Sequence, residues 1–260
     1  MATTINLTVP KSWAELSQDQ LRFLFQTMVE VQLSNRNVGF RSLDDYSLQS
    51  SAQVATICLL KWSGLRLICA YADGWLVAHD QEEFKVTAGQ MASAITHLVW
   101  AKELPTEPVR LDIVDGAKAV PADISGDFTF DNWLACEALW QVYQLTSNED
   151  MLRQMAEILY NKPDIKPDAA ELLGIFYWWA AVKSMASDMF PNFFKPGEVG
   201  EAPSADSMRR NMDAQIRALT KGDITKESEI LAMGAIRALT ELDAQAREYD
   251  ELNKKYPSKK

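Results

Sequence analysis

The sequence predicts a mainly α fold with a small antiparallel β element, an α+β chain built as a multi-helix globular body plus a C-terminal helix pair. Three observations carry this. Apolar residues recur at helical spacing through most of the chain. The period switches to two only between residues 65 and 86, so one compact β element interrupts long helical segments. At 260 residues, with 47% hydrophobic and 24% charged residues, the chain can bury a sizeable core and has ordinary globular composition.

The first helix is signalled twice. Ser12 with Glu15 and Ser17 with Gln20 both fit a capping box, in which each partner satisfies a free backbone N–H. Leu21, Leu24, Phe25, Met28 and Val31 then share one face, predicting a helix over 18–33. A polar loop leads to a second helix over 48–62. In LRLICAYADGWLVAHD two β-rich runs flank Ala72-Asp73-Gly74, a hairpin signal if Gly74 supplies a positive φ; EEFKV is a candidate third strand. Thr87 with Gln90 caps a helix over 88–101. The run 108–114 (PVRLDIV) is a candidate to add a strand to the β element, since Pro105 and Pro108 keep helix away.

Helices are predicted next over 130–146 and 148–160. After Pro163 and Pro167, Asp168 opens a helix over 169–187 that is apolar nearly all round and so should be deeply buried. The domain reading is a body over 1–190, a Pro- and Gly-rich linker over 191–205, and a C-terminal unit over 206–260 with a basic tail. Within that unit IRALT occurs at 216–220 and again at 236–240. Two copies do not make a repeat array. A helix over 206–220, a break at Lys221-Gly222-Asp223 and a helix from Thr225 to Leu252 are expected, as a hairpin or a kinked pair.

A net charge of −10 and a pI near 4.8 disfavour nucleic acid as a partner, because the basic residues cluster only at the tail. The opening MATTINLTVP has no signal-peptide pattern and no run reaches membrane-span length, so a cytoplasmic protein without membrane contact is expected. Cys58, Cys69 and Cys136 read as small buried hydrophobes in a reducing compartment. The eight Trp and ten Met read first as packing residues.

No catalytic, cofactor-binding or metal-ligating set emerges. His79 and His97 have no ligand-spaced Cys or acid, and no phosphate-cradling glycine motif or hydrolase elbow is present. Paired carboxylates lie in loops or on polar faces. The candidate site is instead a partner-binding surface on the C-terminal helices: Met208, Met212, Ile216 and Leu219, then Leu239, Leu242, Ala246 and Tyr249. The second set continues a 4,3 spacing from Ala235, a narrow stripe that either completes the core or docks another helix.

Three stretches, VPKSWAELSQDQLRFLF, FDNWLACEALWQVYQLT followed by LRQMAEILY, and IRALTKGDITKESEILAMGAIRALTELDAQAREYDEL, with PVRL at 108–111, stand in an order that resembles a family from the tail regions of phages and prophages of gut bacteria. The resemblance implies a non-enzymatic tail assembly chaperone. It would bind the helical tape-measure protein or tail tube subunits in the host cytoplasm, with self-association left open. The alternatives are a virion structural protein (a tail-completion or connector component) and an enzyme of unrecognised type.

Overall fold

Ser17 starts the first helix as its sequence requires. In the computed structural model, which describes residues 7–35, 43–195 and 205–255, its hydroxyl accepts the Gln20 N–H at 3.2 Å while Gln20 Oε1 accepts the Ser17 N–H at 3.0 Å. Helix α1 (Gln18–Asn35) follows and buries Leu21, Leu24, Phe25 and Val31. Ser12 makes no such cap; Glu15 turns back to the N–H of Lys11 instead, at 2.8 Å, beside a single 3₁₀ turn. Helix α2 (Leu43–Trp62) begins five residues before the expected start at 48 and packs on α1.

The β element is a three-stranded antiparallel sheet, β1 (Arg66–Tyr71), β2 (Gly74–His79) and β3 (Glu82–Thr87), with β2 in the middle. The hairpin is where it was expected, but Gly74 is there for another reason. Neither it nor Ala72 nor Asp73 has a positive φ. A Cβ on Gly74 would lie 2.2 Å from the Val86 carbonyl oxygen, so the glycine lets β3 approach. A capping box between Thr87 and Gln90 opens α3 (Ala88–Ile95), which tightens into a 3₁₀ stretch over Thr96–Lys102 rather than staying α-helical to 101. Trp13, Phe25, Trp62 and Trp100 form a continuous aromatic cluster, with ring centroids 5.5 to 6.5 Å apart. Two of its indoles are anchored, Trp13 on the Glu103 carbonyl at 3.1 Å and Trp100 on that of Pro10 at 3.2 Å.

These residues, to Pro105, group with Asp168–Gly174 as one compact unit. Within it Glu171 forms a capping box with Asp168 and an ion pair with Arg22 at 2.6 Å. The second unit takes Thr106–Pro167 and the chain from Ile175 onward. The C-terminal helices thus share a unit with 106–167, whereas the sequence reading set 206–260 apart behind a linker. Of that linker, 196–204 lie outside the described residues.

The run 108–114 does not join the three-stranded sheet. Only β4 (Ile113–Val114) is extended and paired, and its partner is β5 (Ala117–Lys118). Asp115 and Gly116 both have positive φ, the Asp-Gly turn that a two-residue hairpin favours. Helix α4 (Phe130–Thr146) starts on Thr129, whose hydroxyl accepts the Asn132 N–H at 3.2 Å. Helix α5 (Glu149–Leu159) buries Leu152, Met155, Ala156 and Leu159. Helix α6 (Ala169–Met189) carries Trp178 and Trp179, both fully buried as its all-round apolarity predicted. Their indoles reach the Ala122 carbonyl at 2.7 Å and the Glu137 carboxylate at 3.3 Å.

Helix α7 (Ala205–Thr220) ends on Lys221 and Gly222, both left-handed. Asp223 caps the next turn by accepting the Thr225 N–H and hydroxyl. The single helix expected over 225–252 is split: α8 (Glu227–Leu231) and α9 (Ala235–Lys255) are separated at Ala232–Gly234. The cause lies far away in sequence. Phe130 donates to the Met233 carbonyl at 2.7 Å and Ala235 to that of Phe128 at 2.8 Å, an antiparallel bridge that extends the backbone at Gly234. The two IRALT copies therefore belong to α7 and α9, with a short helix between them.

Candidate functional site

The bridge at Gly234 shapes the surface that the C-terminal helices present. By diverting the chain between α8 and α9 it opens a groove of about 780 Å³. Ile124 and Gly126 line it together with Leu219 at the end of α7 and Ile230, Met233 and Ile236. Arg237 and Glu241, one turn apart on α9, line it as well. The positive φ of Ile124 and Gly126 turns the 124–126 loop. The lining is mostly apolar with Arg237 and Glu241 among its residues, a form suited to the apolar face of an amphipathic helix.

The expected surface residues separate by depth. Leu219, Leu239 and Leu242 are buried, Leu239 completely at 0% exposure. They belong to the core, where α9 packs on α4 and α7. Met212, Ile216 and Ala246 are half-buried, and Tyr249 is 66% exposed. The side chain of Met208 lies outside the described residues. The stripe on α9 is thus core over its first two turns and surface beyond them. Of the eight expected residues, Leu219 reaches the groove. Met212 lines a second cavity of about 260 Å³, and Ile216 a third of about 370 Å³ against Thr220, Ile224 and Glu227. Ile124, Ile230, Met233 and Ile236 were missed. Their signal was the Met233-Gly234 pair inside a helical pattern, a glycine that a continuous helix does not favour.

The Met212 cavity is also lined by a charge pair. Lys183 pairs with Glu137, and its ammonium also lies 5.6 Å from the Trp133 ring and 5.1 Å from that of Phe194. Glu137 accepts in addition from Trp179. Every charge in the pair is answered from within the protein, which marks it as a structural pair.

Both histidines belong to the fold's other unit: His79 lies 3.5 Å from Asp80 and His97 is exposed. Among the described residues no three His, Cys, Asp or Glu side chains gather as a metal site, and no helix is long and apolar enough to cross a membrane. Cys58 and Cys136 are buried; burial pushes the Cys58 thiol up to about 12 against a smaller opposing hydrogen bond from Thr27, and raises Cys136 well above its ordinary value. Cys69 corrects the expectation: it is exposed, on a strand whose six residues are all exposed. No protein-family model, curated protein or solved structure matches the chain.

Proposed function

We propose that the chain is a non-enzymatic tail morphogenesis protein of a phage or prophage, a tail assembly chaperone that holds a helical segment of the tape-measure protein or of tail tube subunits in the host cytoplasm. The observation that supports this reading is the apolar groove beside Gly234. It is open, it carries apolar Ile side chains and a Met that adapts to an irregular helix, and Arg237 and Glu241 add charge to its lining. The phage assignment rests on the ordered resemblance of the three sequence stretches.

The test is binding of the full-length chain to helical tape-measure fragments from the same tail region, measured by calorimetry. Ile236→Glu puts a charge into the groove wall from a half-buried position, and a loss of affinity of tenfold or more is expected. Mass spectrometry of purified particles should lack the chain. Stoichiometric chain in mature particles would favour the virion structural alternative, and no binding to any fragment would remove the chaperone reading.

A further inference from the structure

The fold treats the two IRALT copies alike. In each the leucine is buried, Leu219 at 9% and Leu239 at 0% exposure, while the isoleucine is half-buried and the arginine exposed. With about 3.6 residues to a turn, Ile, Thr and Arg span one side of the helix and Leu falls on the flank turned to the core. That side lines a groove both times. Ile236, Arg237 and Thr240 line the groove beside Gly234, together with Ile230. Ile216, Arg217 and Thr220 line the cavity of about 370 Å³ beside Gly222, together with Ile224. The hydroxyls are spent on their own helices, Thr220 donating to the Arg217 carbonyl at 3.3 Å and Thr240 to that of Ile236 at 2.8 Å. The guanidiniums are not. Among the described residues the arginines in ion pairs are Arg22, Arg110, Arg153 and Arg209, and no side-chain hydrogen bond occupies Arg217 or Arg237. The two grooves adjoin: α8 gives Glu227 to the smaller and Ile230 to the larger, and the end of α7 gives Thr220 to one and Leu219 to the other.

We infer that the two grooves form a paired site for two like segments of one partner, each a helical stretch that brings an apolar side chain to the isoleucines and a carboxylate to the unpaired arginine. The inference rests on the helix-binding reading of the groove beside Gly234 and adds a second place of the same chemistry. Charge complementarity names the occupant. An apolar lining with one unanswered cation is matched by an apolar residue with an acid close by, and a purely apolar or basic segment would leave Arg217 and Arg237 without a counter-charge. The grooves are not equal. Glu241 in the larger is engaged by Gln245 at 2.9 Å. The smaller also carries Asp213 and Glu227, so its segment needs a cation beside the acid and binds more weakly. Because the grooves adjoin, docking of the first segment holds the second close to its own groove, and the pair binds more tightly than either alone.

The test uses the full-length chain and helical tape-measure fragments, by calorimetry. A fragment that binds should do so at one per chain. Arg217→Glu and Arg237→Glu change exposed positions, so each should keep the circular dichroism spectrum of the unaltered chain. Each should weaken binding by about tenfold or more, Arg237→Glu by the larger factor, and the double variant by about the product of the two. Replacing an acid of the fragment by Lys should weaken its binding to the unaltered chain and restore it in one of the two variants. The fragment cut between its two segments should bind about tenfold or more weakly as separate halves. If Arg217→Glu binds as the unaltered chain does while Ile236→Glu abolishes binding, one groove acts alone: the inference is overturned and the helix-binding reading stands. Halves that bind as tightly as the whole fragment overturn it as well. Binding of no fragment removes both.

Discussion

Asp243 on α9 holds Asn192, the third residue beyond the end of α6, by both backbone and side chain. Its Oδ1 accepts the Asn192 N–H at 2.7 Å and the Phe193 N–H at 3.0 Å, and its Oδ2 accepts the Asn192 amide at 2.9 Å. One carboxylate thereby satisfies donors at the turn leaving α6, within the segment that the sequence marks as the start of a linker. Residues 191–195 are a docked turn, with Phe193 and Phe194 stacked edge to face at 4.8 Å.

Replacing Asp243 by Ala should lower stability by about 1–2 kcal/mol, the net worth of a few hydrogen bonds to a partly exposed charge. Desolvation raises the pKa of this carboxyl, but the hydrogen bonds from Asn192 and Phe193 outweigh it and leave the group below its ordinary value. A depressed carboxyl contributes stability above its unfolded pKa, near 3.9, and loses it as pH falls through the folded value. The gap between Asp243→Ala and the unaltered chain, read from urea unfolding, should therefore be full at pH 7 and shrink below about pH 4. A gap that does not change between pH 7 and pH 3 would show that the carboxylate's charge is not what holds the turn.

Gly74 gives a sharper test of local geometry. A methyl group there meets backbone at Val86 and Thr87, at 2.2 and 2.9 Å, and backbone cannot swing aside as a side chain would. Gly74→Ala should force β2 and β3 apart, with destabilisation at or above the roughly 1–3 kcal/mol usual for overpacking. Gly222→Ala is the contrast: its φ is +80° but no atom lies within 4 Å of the added methyl, so only the left-handed penalty of about 1–2 kcal/mol applies. Amide exchange in β2 and β3 should rise in Gly74→Ala alone. Equal protection in both variants would refute the close-approach account.

How far the sequence disclosed these features depended on how local their causes are. Ser17 with Gln20 and Thr87 with Gln90 each place a helix start within three residues of the bonds that make it, and each was legible; the Thr129 cap before α4 is just as local and was not picked out. The Asp115-Gly116 turn was equally local, yet it lay at the end of a run read as one strand for the sheet. The split at Gly234 had no local sign beyond the glycine itself, because its cause is hydrogen bonding to Phe128 and Phe130, about a hundred residues earlier. That split makes the groove, so the candidate site was visible only as a region. Gly74 was found for the wrong reason: a turn glycine and a close-approach glycine look alike until the third strand is in place.

The stripe on α9 shows the same limit and supports the last prediction. Helical period says that Leu239, Leu242, Ala246 and Tyr249 share a face, but it does not say where the cover over that face ends. Here it ends after Leu242. Leu239→Ala removes a side chain with no exposed surface, packed where α9 meets α4 and α7, and should cost about 2–5 kcal/mol through lost burial and the cavity left behind. Tyr249→Ala, two turns and more further along the same face, should change stability by less than about 0.5 kcal/mol. The same burial means that a chain ending at Pro203 loses Leu219, Ala235, Ala238, Leu239 and Leu242 from its core together, and should aggregate rather than remain a folded body. Thermal unfolding followed by circular dichroism distinguishes the outcomes. If Leu239→Ala melts with the unaltered chain, or the chain ending at Pro203 unfolds cooperatively, the C-terminal helices are an appendage and the assignment of Leu239 and Leu242 to the core fails.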